Sequence, residues 1–541
     1  MRSLFLGLAF SVTSVLLAIS WFFPMALLGF LFVGPILIAG FQDYFQSSQA
    51  IRRNFPFLGR FRYWFEAIRP EINQYFVESN SDGVPFSREE RSVVYQRAKN
   101  ENDTLPFGTQ KNVYEVGYEW VAHSLAPTSV PMDQMRIKVG GPACKQPYEA
   151  SILNVSAMSY GALSKNAVLA LNGGAKDGGF AHNTGEGGLT PYHLENSGDL
   201  IWQIGTGYFS CRNPDGSFSA DLFKEKAVFS QVKMIEIKLS QGAKPSHGGI
   251  LPAKKVTSEI SKIRGVPMGK DVLSPPAHKE FSTPIGLLEF VQKLRDLSGG
   301  KPVGFKLCLG RRREFIAICK AMIHTGITPD YIAIDGGEGG TGAAPPEFSN
   351  HVGFPGIDSL VFVHNVLVGF ELRDKIRIFN AGKVTTGFGM IKRMALGADA
   401  IYSARGMMLA LGCIQALRCN TNHCPAGVAT QDPGLVAGLV VGNKRVRVAN
   451  FHKQTIHSVA EMIQAMGLER PAALRPWHIY KRVGPYEIKN YGEIFQFLKK
   501  GDLLGTTIPE SYRLACEGAS AHTFDYAPDS KQGSQLLSRS A

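Results

Sequence analysis

From Ile152 to Ser403 short apolar runs return repeatedly, each closed by Gly, Ser, Asp or Asn and followed by a helical pattern. That alternation reads as a parallel βα repeat, because parallel strands are buried on both faces and need a crossover helix between neighbours. Eight strands are predicted: Ile152–Ser156, Phe180–Asn183, Met234–Leu239, Asp271–Ser274, Val303–Leu307, Tyr331–Asp335, Arg377–Ala381 and Ala400–Ser403. Eight such units close into an α/β fold of the (β/α)8 TIM-barrel type, with its chemistry in the loops after the strands' carboxyl ends. A doubly wound open sheet is the competing architecture, but its glycine fingerprint follows the first strand. Here the densest glycine runs come late.

Those late loops are Asp335-Gly-Gly-Glu-Gly-Gly-Thr-Gly342, Asn380-Ala-Gly-Lys383 and Ser403-Ala-Arg-Gly406, and the whole chain holds 58 Gly. Glycines let backbone N–H groups converge on an anion, and barrels hold phosphate after their last strands, so a phosphate site is predicted here. Lys306 stands inside the apolar strand Val303-Gly-Phe-Lys-Leu307. A charge there needs a partner or solvent, so Lys306 either faces a cofactor ring at the carboxyl end or forms a structural ion pair. Asn183-Thr-Gly-Glu-Gly-Gly188 and Lys238-Leu-Ser-Gln-Gly-Ala-Lys-Pro-Ser-His-Gly-Gly249 point into the same mouth. Glu186 and Lys244 are then either an ionic pair for substrate orientation and proton transfer, or ordinary loop charges.

Residues 1–41 carry a single charge, Arg2, and seven Phe. The stretch is too long for one helical span and suits two, Leu4 to Phe23 and Pro24 to Phe41, as a transmembrane hairpin. Arg2 precedes it, and Ile51 to Pro70 holds five Arg against Glu66 alone, which places both ends on the cytoplasmic side. A cleaved signal peptide or a buried soluble hairpin are the alternatives. The net charge of +13 over 541 residues has no basic helix or aromatic platform with it, so no nucleic-acid partner is expected.

Five of the eight cysteines are scattered as small buried hydrophobes, while Cys413, Cys419 and Cys424 form Cys-x5-Cys-x4-Cys before Pro425. Three thiolates in such a loop suit an iron–sulfur cluster; zinc with His423 as a fourth ligand, or three unliganded thiols, also fit the spacing.

Five segments carry a resemblance. Ser156-Ala-Met-Ser-Tyr-Gly-Ala-Leu-Ser164, Asn183 to Gly188, Gln241-Gly-Ala-Lys-Pro245, Asp335 to Gly342, and the cysteine run ending in Cys424-Pro-Ala-Gly-Val-Ala-Thr-Gln431 closely resemble the FMN-binding synthase domain of glutamate synthase, over about 150–435. The resemblance implies an oxidoreductase acting on CH–NH2 donors, with FMN and a 3Fe-4S cluster on Cys413, Cys419 and Cys424. It would reductively aminate 2-oxoglutarate to glutamate. It also implies that FMN lies over Ala157, Met158 and Ser159 with Lys306 beside its ring, and that Gly340, Thr341, Gly382 and Ala404 surround its phosphate. Glu186 and Lys244 match residues with catalytic or electron-transfer roles, and Arg264 falls where an arginine meets the 2-oxoglutarate carboxylate.

The sequence departs from that pattern at Ile250, where a glutamine is expected, and at Ser246-His247, where the family shows Gly-Glu. With no amino-terminal nucleophilic Cys and little length after 435, neither a glutaminase domain nor a large β-helical domain is expected. The expected organisation is a transmembrane hairpin (1–41), a juxtamembrane and amino-terminal extension (42–149), the FMN-binding barrel (150–435) and an α-rich carboxyl-terminal extension and tail (436–541). Asn443 to Met466 reads as helix, and Tyr480 to Leu498 contains an amphipathic stretch. Expected partners are a small 2-oxo acid, an electron donor such as ferredoxin or a reductase subunit, and a separate amidotransferase unless free ammonia suffices. FMN-dependent oxidation of an amino or 2-hydroxy acid at the membrane, or an electron-relay subunit without its own substrate, are the competing functions.

Overall fold

The strand rhythm closes on itself. In the computed structural model, which describes residues 1–101 and 103–527, eight parallel strands form a closed barrel. They are β1 (Leu153–Val155), β2 (His182–Asn183), β3 (Leu200–Ile204), β4 (Val232–Lys238), β5 (Val303–Leu307), β6 (Tyr331–Asp335), β7 (Arg377–Ala381) and β8 (Ala400–Ser403). β8 returns to β1 through Ile401 beside Leu153. The (β/α)8 expectation holds, with two strands exchanged. β3 is absent from the predicted set because only a one-turn helix, Pro191–Leu194, separates it from β2, so no helical pattern announces it. The predicted strand Asp271–Ser274 instead contributes Val272–Leu273 to an antiparallel pair with Ile250–Leu251 outside the barrel. The two errors cancel in the count, so the glycine loops still follow strands six to eight.

Local chemistry sets the repeat. Helix Lys165–Gly178 starts at Ser164, whose Oγ accepts from Ala167 N at 3.2 Å, and stops at Gly179 with φ +66°. Inside the barrel, Tyr331, Phe379 and Tyr402 form a floor, with ring centroids 5.2 and 4.9 Å apart. Val139, Tyr148 and Ala150 of the hairpin Arg136–Val139/Tyr148–Ser151 join the same apolar cluster at the strands' amino ends. Burying Phe379 alone contributes about 1.5–3 kcal/mol.

The chain divides into two compact units, Met1–Arg88 and Glu89–Ala541. In the second, helix Val441–Ala465 packs on Lys165–Gly178 so closely that a Cβ on Gly174 would lie 2.6 Å from the Val448 side chain. The stretch Tyr480 to Leu498 is not one amphipathic element: Ile479–Arg482 and Ile488–Asn490 form a three-stranded antiparallel sheet with Glu119–Val121, and Tyr491–Ile494 is a single helical turn. The last residues of the expected tail lie outside the described residues.

In the first unit, Arg2–Phe22 and Pro24–Phe45 are each long and apolar enough to cross a membrane. Phe5 meets Phe41 edge to face at 5.3 Å and the Arg2 guanidinium lies 4.3 Å over the Tyr44 ring, so the two helices form a hairpin with both free ends together.

Candidate active site

The charged residues of the barrel mouth pair in an order the sequence does not reveal. Glu186, in the loop after β2, faces Lys238, the last residue of β4, at 2.5 Å. Burial pushes the Glu186 carboxyl up, but Lys238, Arg264 and Lys244 together outweigh that and hold it below the usual carboxylate range. Glu186 and Lys244 are therefore not the direct pair. Lys244 Nζ donates to Ala343 O at 2.5 Å. Burial, reinforced by Lys238 and opposed by Glu186, brings its amine down to about 8. Glu186, Lys238 and Lys244 line one cavity together with Thr206, Gln241 and Ser246.

Lys306 is in register with Lys238 on the neighbouring strand. Its amine lies 3.2 Å from Asp335 Oδ2. Burial opposes its charge, yet Asp335 and Glu236 raise its pKa above the ordinary lysine value. Lys306 and Asp335 thus form an ion pair at the carboxyl mouth. Asp335 Oδ2 also accepts from Gly242 N at 3.1 Å. A Cβ on Gly242 would stand 1.8 Å from Gly336 O, so only glycine lets the loops after β4 and β6 touch here. Below, Glu236 is completely buried and accepts from Gln203 Nε2 (2.7 Å), Asn183 Nδ2 (2.8 Å) and Tyr402 OH (3.0 Å). Burial raises its pKa against the pull of Lys306. Glu236 and Lys238 are absent from the predicted site, although both interrupt the apolar run Val232-Lys-Met-Ile-Glu-Ile-Lys238 as Lys306 interrupts its own.

The loops after β6, β7 and β8 meet around an anion. The Glu338 carboxylate accepts from Gly356 N at 2.9 Å and lies 4.0 Å from Arg393. It sits 2.9 Å from where a Cβ on Gly382, at φ +128°, would project. Arg405 donates to Glu338 O at 2.6 Å, and its side chain lies 2.7 Å from a Cβ built on Gly340. Thr341 Oγ1 donates to Ala343 O at 3.3 Å, and Ala404 precedes helix Arg405–Leu411. Asn380 Oδ1 and Arg393 Nε are buried with no hydrogen-bond partner among the described residues.

Ala157, Met158 and Ser159 follow β1 in backbone contact with the Glu186 loop. Ser159 Oγ accepts from Gly187 N at 3.1 Å, and a Cβ on Gly185 would lie 2.6 Å from Ser159 N. Arg264 closes the helix Ser258–Arg264 and reaches back between these loops. It donates to Tyr160 O at 2.7 Å and lies over the Phe209 ring at 5.1 Å. Burial lowers it to about 10, with Glu186 and Tyr160 pulling the other way. Lys244, Ile250 and Arg264 all lie on the long excursion from β4 to helix Pro284–Leu297. A Cβ on Gly249 would stand 2.6 Å from Glu186 Oε1, which brings the atypical Ser246 to Ile250 segment against the acid.

The three cysteines lie within electrostatic reach of one another. Burial, with the two other thiols adding, raises Cys413 to about 11, and burial and Cys424 raise Cys419. Among the described residues no trio of His, Cys, Asp or Glu is close enough to hold a single metal ion. The tail after Cys424 is fastened to the loop after β1: Gln431 Nε2 donates to Gly161 O (3.0 Å) and Leu163 O (2.8 Å), and Ser164 Oγ donates to Gly427 O (2.7 Å). Lys255, 2% exposed, joins the same two segments by donating to Ala429 O (2.7 Å) and Ala162 O (3.0 Å).

The family model described as the conserved region in glutamate synthase matches residues 131–469, more than half of the chain. The chain belongs to the glutamate synthase family. It is an enzyme of an oxidoreductase family. It is 38% identical over 482 residues to the glutamate synthase large subunit-like protein YerD of Bacillus subtilis, covering 82% of this chain and 91% of that one. It is also 38% identical over 322 residues to the archaeal glutamate synthase (NADPH) of Methanocaldococcus jannaschii, covering 59% of this chain. The chain spans 60% of that relative's length. Among solved structures, a double mutant of flavocytochrome b2 with pyruvate bound aligns at a TM-score of 0.41 and 13% identity, over 83% of this chain and 92% of that one. That likeness is too loose to argue from.

Proposed function

We propose that this glutamate synthase-like chain reductively aminates 2-oxoglutarate, or a similar 2-oxo acid, to the amino acid. The observation that supports it most is the barrel mouth, where the Glu186–Lys238 pair stands within electrostatic reach of the cations Lys244 and Arg264. A 2-oxo diacid needs cations for its carboxylates and a held proton where the amine forms. Arg264 binds a carboxylate, Glu186 and Lys238 hold and move the proton, and the buried walls exclude water.

FMN fits these residues. Gly382 and Gly356 leave room beside the Glu338 carboxylate, Gly340 leaves room beside the Arg405 guanidinium, and the partnerless Asn380 Oδ1 on β7 and Arg393 Nε on the helix Gly387–Ala395 that follows it stand next to these loops. Gly340, Thr341, Gly382 and Ala404 would hold its phosphate, Ala157, Met158 and Ser159 would lie against it, and Lys306 would stand beside its ring. Bound there, FMN would supply the hydride chemistry that no side chain can perform. Cys413, Cys419 and Cys424, close enough for their thiols to raise one another's pKa, would hold a 3Fe-4S cluster, which would supply one-electron transfer. An electron carrier such as ferredoxin or a reductase subunit, and an amidotransferase or free ammonia, complete the reaction. The apolar hairpin anchors the protein in a membrane with the barrel on the cytoplasmic side.

Stopped-flow mixing under anaerobic conditions tests the reading. Reduced flavin in the purified protein is expected to reoxidise on adding 2-oxoglutarate with ammonia. Bleaching of oxidised flavin by an amino or 2-hydroxy acid, with no such reoxidation, overturns it. The Ser246 to Ile250 segment beside Glu186 favours that oxidative reaction as a second reading.

Two outcomes follow for single residues. Lys244 is charged below about 8 and neutral above it. If its cation binds substrate carboxylate, KM for the 2-oxo acid rises as pH passes upward through 8, and Lys244→Arg removes that limb; an unchanged profile in the variant excludes the role. Lys255 places a buried cation near Cys419 and Cys424, with Nζ held by two carbonyls. A cation favours the more negative reduced cluster, so Lys255→Met is expected to lower its midpoint potential at unchanged iron content, read by a redox titration followed by electron paramagnetic resonance.

A further inference from the structure

Helix Gly59–Ile72 follows the apolar hairpin in the same compact unit. At about 100° per residue, Phe61, Trp64, Phe65, Ile68 and Ile72 fall on one arc of roughly 100°, with Arg60 at one border and Arg62 and Arg69 at the other. This apolar face is bare: Phe61 is 46% exposed, and Trp64 and Phe65 are 55% exposed.

The start of the helix is tied to the end of the second apolar helix. Asp43, in the last turns of Phe30–Phe45 and fully buried, accepts from Arg52 Nε and Arg60 Nε at 2.7 Å each and from Phe57 N at 3.2 Å. Arg60 also donates to Ala39 O at 3.1 Å and to Gln42 Oε1 at 3.2 Å. The turn before it is tight, since a Cβ on Gly59 would lie 2.8 Å from Arg52 Cα. The amphipathic helix therefore begins at the level where the apolar hairpin ends. Arg2 over the Tyr44 ring marks the same end of the hairpin.

We propose that helix Gly59–Ile72 lies in the headgroup layer of an anionic bilayer, with Trp64 and Phe65 toward the acyl chains and Arg62 and Arg69 on lipid phosphates. The proposal rests on the membrane reading of the hairpin. Two features select this occupant. The Asp43 clamp ties the start of this helix to the end of two helices whose own apolar side chains are exposed along their length. Arg62 and Arg69 border that face on the side away from Arg60 and Glu71, where their stems cover apolar surface and their guanidinium groups reach phosphate.

The test uses the full chain in vesicles with Trp21→Phe, compared with Trp21→Phe/Trp64→Phe, so that the difference isolates Trp64. In vesicles containing phosphatidylglycerol, brominated acyl chains are expected to quench Trp64 and aqueous acrylamide to lose access to it, both more strongly than in phosphatidylcholine alone. Acrylamide access to Trp64 in the anionic vesicles overturns the proposal, and equal quenching in the two lipids overturns its anionic preference. Alkaline carbonate extraction of the same vesicles reports on the hairpin separately. Resistance to carbonate with Trp64 still in water sinks the interfacial helix alone. Release by carbonate with Trp64 quenched at neutral pH sinks the hairpin and sustains the helix.

Discussion

Glu186→Gln is expected to lower turnover by about 10²- to 10⁴-fold, the range of a positioned acid–base group, with flavin content near that of the unaltered protein. The substitution keeps the shape of the side chain and removes its charge, so the cavity stays filled while Lys238 loses its 2.5 Å partner. A structural role for the pair would also cost activity, because an unpaired buried cation is destabilising by about 3–5 kcal/mol. The double substitution Glu186→Gln/Lys238→Met separates the two. It removes both charges, so it should recover the denaturation midpoint without recovering turnover. Turnover near the parent value in Glu186→Gln, measured as flavin reoxidation by 2-oxo acid and ammonia, removes Glu186 from the chemistry.

Asp330→Ala is expected to destabilise the barrel unit by about 3–5 kcal/mol. Asp330 is 1% exposed and its Oδ2 takes Arg295 at 3.0 Å, while Arg295 itself is 2% exposed. The same carboxylate accepts from Val303 N at 2.8 Å, at the start of β5, and from Gly141 N at 2.6 Å, next to the hairpin that closes the barrel floor. Its removal takes the counter-charge from a buried guanidinium, which keeps only Gln292 Oε1 and Thr328 O, and leaves two backbone N–H groups unpaired. Arg295→Met should cost less than Asp330→Ala, because the carboxylate keeps its two backbone donors. Urea titration of the detergent-solubilised full chain, read by intrinsic fluorescence, orders the two variants; equal midpoints for Asp330→Ala and the parent would refute the assignment.

The sequence displays the barrel because β5 to β8 are short apolar runs cut sharply by glycine, aspartate or asparagine and separated by full helices. It hides β3 because the link from β2 holds only the turn Pro191–Leu194. It also offers Asp271–Ser274 as a strand, although that run lies on the long excursion after β4 and pairs with Ile250–Leu251. Residue types at the mouth are legible and their partners are not. Glu186 and Lys244 stand in conspicuous polar motifs, yet the partner of Glu186 is Lys238, which belongs to a strand 52 residues away and looks like its end. Lys255 has no motif around it; its two carbonyl partners come from segments 93 and 174 residues distant. The cysteine spacing is plain in one dimension, and the way Gln431 and Ser164 fasten that loop to the one after β1 exists only in three.

The aromatic floor of Tyr331, Phe379 and Tyr402, stoppered by Val139 and Tyr148, turns the barrel into a flask with one neck. A small molecule bound among the charged residues of the mouth would therefore enter and leave past the same rim. In such a vessel a tightly held product slows the next cycle however fast the chemistry is. The excursion after β4, which forms part of the rim, thereby governs the traffic as well as the fit.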